Sequence, residues 1–279
     1  MVYEVGETAS ANRWLVRFGY DGSGYFGWAR QPGLRTVEGT ILAGLARSHT
    51  RRTLPFGSEH LDVASRTDRG VSARANALAL RTTLSGATLL RFLNGCAPEI
   101  FFTAATPVPE EFRTRAAARR IYRYWDPGPP ERLMRWRSAA AVFRGPVDAR
   151  SFGRGVLRDS PRFVEVQSVS VEEVPGGRLV EVRARSFVWG MVRKIVSALR
   201  EHAAGRLPLS DLEAGIRGTS LLSLPLAEPQ GLVLWEVEYP IDWMVRWQGP
   251  SRRQRAYLGR TATDRWLGER VATAWTDGG

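Results

Sequence analysis

Residues 63–73, VASRTDRGVSA, place one acidic residue among basic ones directly after a short apolar run. Asp68 lies between Arg66 and Arg69, and Gly70 follows at a position where the backbone can turn sharply. Flanking guanidinium groups favour the ionised form of a carboxylate, which suits a nucleophile or a general base better than a general acid. The spacing is also typical of a surface turn with an ion pair, and by itself it favours that plainer interpretation.

Other catalytic chemistry has less support in the sequence. A glycosidase-like hydrolase needs two carboxylates across the scissile bond, and the nearest partner for Asp68 is Asp62, at the start of the preceding strand. None of the three histidines stands in a motif described below, so neither a histidine base nor a metal cluster is indicated. The single Cys96 excludes an internal disulfide and suits a reducing cytosol.

The charge of the chain points to a polyanionic partner. The 279 residues include 40 basic and 28 acidic ones, which gives a net charge of +12. All basic residues except Lys194 are arginines, whose guanidinium groups suit phosphate contacts and stacking on bases. Residues 101–163 hold 13 arginines and 6 acidic residues, which predicts an RNA- or DNA-binding surface, with a solvated helix face as the alternative.

The overall composition is that of a globular protein, with 43% hydrophobic and 24% charged residues. This composition excludes disorder as the main state. No apolar run approaches the roughly 18–20 residues that span a bilayer, and residues 1–13 lack the basic and apolar regions of a secretory signal. We therefore expect a cytoplasmic protein without a membrane partner.

The Asp68 motif lies inside an alternating pattern of predicted elements. These are a strand at 13–20, a helix from Thr36, strands at 61–65 and 76–82, a helix at 85–98 and a strand at 99–108. The order β-α-β-β-α-β is typical of a ferredoxin-like α+β unit. A turn-rich glycine loop at 21–27 separates the first strand from the first helix. We therefore predict an N-terminal domain over residues 1–110.

The second half of the chain also has an α+β pattern. Its predicted elements are a strand at 119–125, helices at 131–143 and after Val147, a hairpin at 164–187, a helix at 188–205 and a strand at 231–239. We therefore predict a second domain over 111–240. Residues 241–279, with four tryptophans and seven arginines, are expected to be an appended segment that packs over the second domain or extends an RNA-binding surface.

Six segments of the chain resemble, in order and in approximate spacing, the tRNA pseudouridine synthases of the TruA family. They are YDGSGYFGW (20–28), SRTDRGVSA (65–73), LNGCAPEIFF (93–102), RRIYRY (119–124), FVWGMVRKIV (187–196) and PLAEPQGLVLWEVEY (225–239). The form of the second segment is closer to archaeal members. The resemblance covers about residues 14–240.

The resemblance implies a fold and an activity. The fold is α+β, with two ferredoxin-like halves, mixed or antiparallel sheets and a basic cleft between the halves. The activity is isomerisation of uridine to pseudouridine in the anticodon stem-loop of tRNA, without a cofactor or a metal. The family also implies a homodimer. A non-catalytic RNA-binding protein, or a pseudouridine synthase acting on a different RNA, remains the alternative.

The same resemblance implies roles for three catalytic residues. Asp68 matches the essential aspartate of the R-T-D-x-G-V motif and is expected to act as a nucleophile, or as a base at the ribose. Tyr122 is expected to pack against the uracil face or to accept a proton. Arg193 is expected to point into the cleft from a helix and to pair with Asp68. Asp68 distinguishes this activity from non-catalytic RNA binding, because a buried carboxylate that faces phosphate does not help a protein to bind RNA.

Five further residues are predicted to bind the substrate. Arg66 is expected to fill the space that a flipped uridine leaves, and Leu232 to form an apolar pocket wall or part of the core. The other three are Arg69, Tyr20 and Asp21, with structural roles open for the last two. Trp189-Gly190 stands where bacterial members have paired histidines.

Overall fold

The first half of the chain forms four strands and two helices in the predicted order. The computed structural model describes residues 12–47, 61–128, 132–155, 162–249 and 254–255. The elements of this half are β1 Asn12–Tyr20, α1 Val37–Arg47, β2 Asp62–Val63, β3 Ser72–Thr82, α2 Gly86–Cys96 and β4 Ile100–Pro107. All strand pairs are antiparallel and give the order β4-β1-β3-β2. This is the ferredoxin-like arrangement that the sequence predicts.

Local sequence signals explain how these helices begin and pack. Thr36 precedes α1, and its Oγ1 accepts a hydrogen bond from the backbone N–H of Gly39 at 3.2 Å, as expected of a helix cap. In α2, Leu89, Leu90 and Leu93 are buried at helical spacing, and the helix packs against β4. Helix α2 therefore packs on the sheet at β4, and α1 packs against α2.

The second half repeats the same strand order. Its elements are β5 Arg119–Pro127, α3 Leu133–Ala141, β6 Gly145–Asp148, α4 Ala149–Phe152, β7 Phe163–Val174, β8 Gly177–Ala184, α5 Met191–Ala203, α6 Leu209–Arg217 and β9 Leu232–Glu238. They are arranged in the order β9-β5-β8-β7, with β6 added at the edge. If β5, β7, β8 and β9 are numbered one to four, their order is the same as that of the first four strands.

Two elements of the second half are absent from the sequence prediction. The short strand β6 lies at the sheet edge and pairs with β7. Helix α6 lies in the stretch that we expected to be a loop, where Pro208 precedes it and Gly218, at φ 72°, ends it. A proline before a helix and a glycine after it are helix signals as well as loop signals. Within the described ranges, no helix has both the length and the apolar character needed to cross a bilayer.

A parallel strand pair joins the two halves into one ten-stranded sheet. Strand β9 pairs with the beginning of β3 at Ser72–Val233 and Ala73–Leu234, and with β5 on its other side. Strand β2 has only two residues and pairs further along β3. The beginning of β3 is therefore available to β9, and the loop before it, residues 64–71, faces the second half.

The described part of the C-terminal segment packs against the first half. Strand β10, Val245–Arg246, extends the sheet next to β4, and the backbone N–H of Trp247 donates to the carbonyl of Thr103 at 2.8 Å. The buried side chain of Gln254 donates to Asn94 Oδ1 at 2.6 Å. The expectation that this segment covers the second domain is therefore wrong for its described residues. Trp266 and Trp275 lie outside them.

Candidate active site

A cleft of about 550 Å³ lies where loop 64–71 of the first half faces β5 and the start of α5 in the second. Five of the eight predicted site residues line it: Arg66, Asp68, Tyr122, Arg193 and Leu232. Residues separated by up to 166 positions in the sequence thus meet at one place, because the parallel β3–β9 pair holds the two halves side by side. The cleft between the halves agrees with the prediction.

Two donors from the second half hold the carboxylate of Asp68. Arg193 Nη1 lies 3.3 Å from Asp68 Oδ2, which confirms the predicted pair. The indole Nε1 of Trp189 donates to Asp68 Oδ1 at 2.6 Å. The Arg193 guanidinium is itself oriented, since its Nε donates to the carbonyl oxygen of Ala227 at 2.6 Å. Each carboxylate oxygen therefore receives one hydrogen bond.

The glycine-rich segment 21–28 supports loop 64–71 from behind. The backbone N–H of Trp28 donates to the carbonyl of Thr67 at 3.0 Å. Gly27 has φ 94°, and a Cβ there would lie 2.8 Å from the carbonyl oxygen of Thr67. Only glycine combines that backbone conformation with so close an approach. The segment therefore fixes the backbone directly before Asp68.

Tyr20 has a supporting place rather than the substrate-binding place that the sequence predicted, whereas Asp21 caps a turn and is partly exposed. Tyr20 is completely buried, and its hydroxyl shares a 2.7 Å hydrogen bond with Thr67 Oγ1. Asp21 caps a short helical turn by accepting from the backbone N–H of Ser23 at 2.9 Å. A side chain without accessible surface cannot contact RNA. Tyr20 therefore acts on the site through the segment that it stabilises, and a contact of Asp21 with RNA stays a prediction.

Tyr122 forms part of the cleft wall on β5. Its ring meets that of Phe187 edge-on, with centroids 5.2 Å apart. Burial raises the pKa of Tyr122 to about 12; a hydrogen bond to Ser65 and the charge of Arg120 oppose the shift, and the charge of Asp68 adds to it. The phenol is therefore protonated at neutral pH and can donate a hydrogen bond, and the roles expected of Tyr122 stay predictions.

The remaining predicted residues differ in exposure. Arg66 is exposed at the cleft, where its guanidinium can reach an incoming RNA. Arg69 is also exposed, but it is absent from the cleft lining and stacks on Phe26 at 4.3 Å from the ring centroid. Leu232 is nearly buried and contributes an apolar wall.

Sequence reasoning missed Arg120 as a residue that ties the halves together. It is buried on β5, where its Nε donates to Ser65 Oγ at 3.0 Å and its Nη2 to the carbonyl of Ala64 at 2.9 Å. Burial lowers the pKa of Arg120. Sequence reasoning also missed the contact of Trp189 with Asp68. The signal that could have found it is that tryptophan stands here in place of a histidine of the bacterial members. Hydrogen bonds between distant segments leave no local pattern.

Asp62 has a structural place outside the cleft lining. Its carboxylate accepts from Thr114 Oγ1 at 2.6 Å and from Arg13 Nη2 at 3.1 Å. Asp62 therefore links β2 to the connection between the halves, since Thr114 lies between β4 and β5. The glycosidase alternative thereby loses its nearest second carboxylate.

Known proteins resemble this chain over most of its length. A profile of the tRNA pseudouridine synthase family matches residues 139–240. A protein named tRNA pseudouridine synthase A from Thermococcus onnurineus is 36% identical, over 81% of this chain and 85% of its own. Proteins of the same name from Thermococcus kodakarensis and Pyrococcus furiosus are 36% and 34% identical, each over 81% of this chain and 84% of its own. The chain therefore belongs to the tRNA pseudouridine synthase A (TruA) family.

Proposed function

We propose that this protein isomerises uridine to pseudouridine in tRNA, with Asp68 as the reacting carboxylate. The observation that carries the proposal is the pair of donors on Asp68, from Arg193 and Trp189, inside a cleft between the two halves. Cleft residues with this chemistry suit a reaction at a sugar carbon, where an ionised carboxylate attacks or removes a proton. Family membership and the net charge of +12 support tRNA as the substrate.

The reaction moves a bond without a net change of atoms. The bond between C1′ and N1 breaks, uracil rotates, and a bond forms between C1′ and C5. The proton that leaves C5 is balanced by the proton that N1 gains. Asp68 assists the first step as a nucleophile at C1′ or as a base at the ribose. The two donors stabilise its negative charge before that step, and again when the carboxylate is released at the end of the reaction.

The walls of the cleft suit the retention of a detached base. Leu232 and the ring of Tyr122 provide apolar surface near Asp68, and such surface excludes water from a reactive intermediate. Arg66, exposed at the cleft, fits the predicted role of occupying the place of a flipped uridine. The protein thereby recovers part of the stacking that extrusion costs.

We also propose that the target lies in the anticodon stem-loop and that the protein acts as a homodimer. Both follow from the TruA resemblance. A pseudouridine map of unmodified tRNA transcripts tests the first proposal, because product outside the anticodon stem-loop would contradict it. Light scattering at several protein concentrations tests the second, since a monomer mass of 31.1 kDa at all concentrations would contradict a homodimer.

The reaction itself is tested with Asp68→Asn and a matched control. Asp211→Asn changes an exposed aspartate on α6, outside the cleft lining. We expect pseudouridine from wild type and from Asp211→Asn, and none from Asp68→Asn, although all three bind tRNA. Salt-sensitive tRNA binding without product from wild type would favour a non-catalytic RNA-binding protein. Product from Asp68→Asn would assign the chemistry to another group.

A further inference from the structure

Trp189 combines an exposed ring with a fixed position. Its side chain is 54% exposed, although large aromatic residues are usually buried. Its Nε1–H nevertheless donates to Asp68 Oδ1 at 2.6 Å, and the Arg154 guanidinium lies 4.7 Å from the ring centroid. The backbone N–H of Arg154 also donates to the carbonyl of Trp189 at 2.8 Å. Side chain and backbone are therefore both held at the edge of the cleft.

Trp189 is close in sequence to Arg193, the other residue that donates a hydrogen bond to Asp68. Trp189 lies two residues before the first residue of α5, and Arg193 lies in the first turn of that helix. Gly190, between them, has φ 76°, and a Cβ there would lie 3.0 Å from Leu226. The glycine thus lets the chain turn so that the side chains of Trp189 and Arg193, both in the second half, reach the carboxylate of Asp68.

We propose that Trp189 is a positioning residue that sets the orientation of the Asp68 carboxylate through its indole N–H. Arg193 holds Oδ2 and Trp189 holds Oδ1, so rotation of the carboxylate about its Cβ–Cγ bond is restricted. Each oxygen keeps a further lone-pair site, because an ionised carboxylate accepts about four hydrogen bonds. This inference rests on the proposed reaction at Asp68.

The competing role for an exposed indole near an RNA-binding cleft is stacking of an unpaired base. Two substitutions distinguish the contribution of the indole N–H from that of the aromatic ring. Trp189→Phe keeps an aromatic ring and removes the donor. Trp189→His removes the larger ring and keeps a donor, because Nε2 of histidine and Nε1 of tryptophan occupy equivalent places on a five-membered ring attached to Cβ.

The experiment compares single-turnover pseudouridine formation at saturating enzyme with tRNA affinity for each variant. A hydrogen bond to a charged group contributes enough free energy that its loss is expected to reduce the rate about 10- to 100-fold. We expect that reduction in Trp189→Phe with tRNA affinity within about twofold of wild type. We expect Trp189→His to recover most of the lost rate, which a purely structural role would not produce.

Phe163→Leu is the matched control. Phe163 is 40% exposed, carries Arg162 at 5.0 Å from its ring centroid, and is absent from the cleft lining. A wild-type rate in Trp189→Phe overturns the proposal. Weaker tRNA binding in Trp189→His with full affinity in Trp189→Phe also overturns it, in favour of stacking. Failure of the proposed function is distinguishable, because wild type itself would then form no pseudouridine.

Discussion

The two halves of the sheet have the same strand order but differ in the connection between their second and third strands. In the first half, β2 has two residues and loop 64–71 has eight. In the second half, β7 has twelve residues, and only Pro175 and Gly176 separate it from β8. Asp68, which we propose as the reacting carboxylate, lies in the long connection, and the tight hairpin has no carboxylate.

The short length of β2, compared with β7, has two structural consequences. Strand β7 pairs with β8 from Val166–Ala184 to Val174–Gly177 and so covers one side of β8. Strand β2 pairs with β3 only at Asp62–Ala79 and Val63–Leu78. The shortened strand supplies chain for loop 64–71, and it also leaves the beginning of β3 free to pair with β9. The loop that carries Asp68 and the β3–β9 pair that joins the two halves therefore both depend on the short length of β2.

The largest effect is expected where support of the long connection is removed. Gly27→Ala introduces a Cβ 2.8 Å from the Thr67 carbonyl oxygen at a φ of 94°, so loop 64–71 must move. Because displacement of a reacting group by about 1 Å can cost 100-fold, we expect pseudouridine formation to fall by at least that factor. The measurement is the single-turnover rate together with thermal unfolding.

Gly176→Ala is the control in the short connection. Gly176 also has a positive φ, of 78°, but a Cβ there meets no atom within 4 Å. We expect a loss of about 1 kcal/mol in unfolding free energy and no change in rate. Equal rates for Gly27→Ala and Gly176→Ala would show that the two connections do not differ in function.

A smaller effect is expected from the ion pair that crosses the junction. Arg193→Lys keeps the charge but cannot bind both Asp68 and the Ala227 carbonyl with the same geometry. We expect the rate to fall about 10- to 100-fold. Arg217→Lys is the matched control, because Arg217 and Glu213 are also 3.3 Å apart but exposed. A similar loss in both variants would indicate a general effect of the substitution.

Tyr122→Phe tests whether the hydroxyl in the cleft contributes to the reaction. Because the ring remains, we expect a loss of less than about tenfold in rate. Tyr124→Phe is the control, since Tyr124 lies on the same strand but is absent from the cleft lining. A loss in Tyr122→Phe as large as that of Asp68→Asn would assign the hydroxyl an essential proton transfer.

The same two tyrosines predict how stability depends on pH. Burial raises the pKa of each to about 12, above the ordinary value of 10. The stability that the neutral phenols contribute is therefore complete below pH 10 and is lost as the pH rises to about 12. We expect chemical denaturation at pH 9 and at pH 11 to show a smaller decrease for either phenylalanine variant than for wild type. An unchanged decrease would contradict the assignment.

The smallest effect is expected in the hairpin. Insertion of Gly-Ser between Pro175 and Gly176 lengthens the short connection without approaching the cleft. Loop closure costs only about 0.6 kcal/mol for each doubling of length, so we expect little loss of stability and a rate within about twofold of wild type. A large loss of rate would show that the hairpin also supports the site.

The sequence predicted much of the fold because both halves follow local patterns. Alternating and helical spacing identified the strands and helices of the first half, and Thr36 marked the start of α1. The junction was not predictable in this way. The β3–β9 pair joins residues far apart in the chain, and the apolar residues of β9 would suit any buried strand.

The site was predictable to the extent that a motif carried it. Asp68 and its pair with Arg193 followed from the TruA resemblance, and the structure shows that pair. Tyr20 shows the limit, since a motif residue can be buried support as well as a contact for RNA. Trp189 and Arg120 were missed because their hydrogen bonds join separate segments.

The β3–β9 pair also sets when the enzyme can first act during its synthesis. Strand β3 begins at Ser72, whereas β9 begins at Leu232 and must leave the ribosome before the pair can form. At about 5–20 residues per second, this delay is on the order of ten seconds. For much of that interval, the nascent chain carries Asp68 without the two side chains that hold it. We therefore expect ribosome-bound fragments to be inert towards tRNA until β9 has left the ribosome.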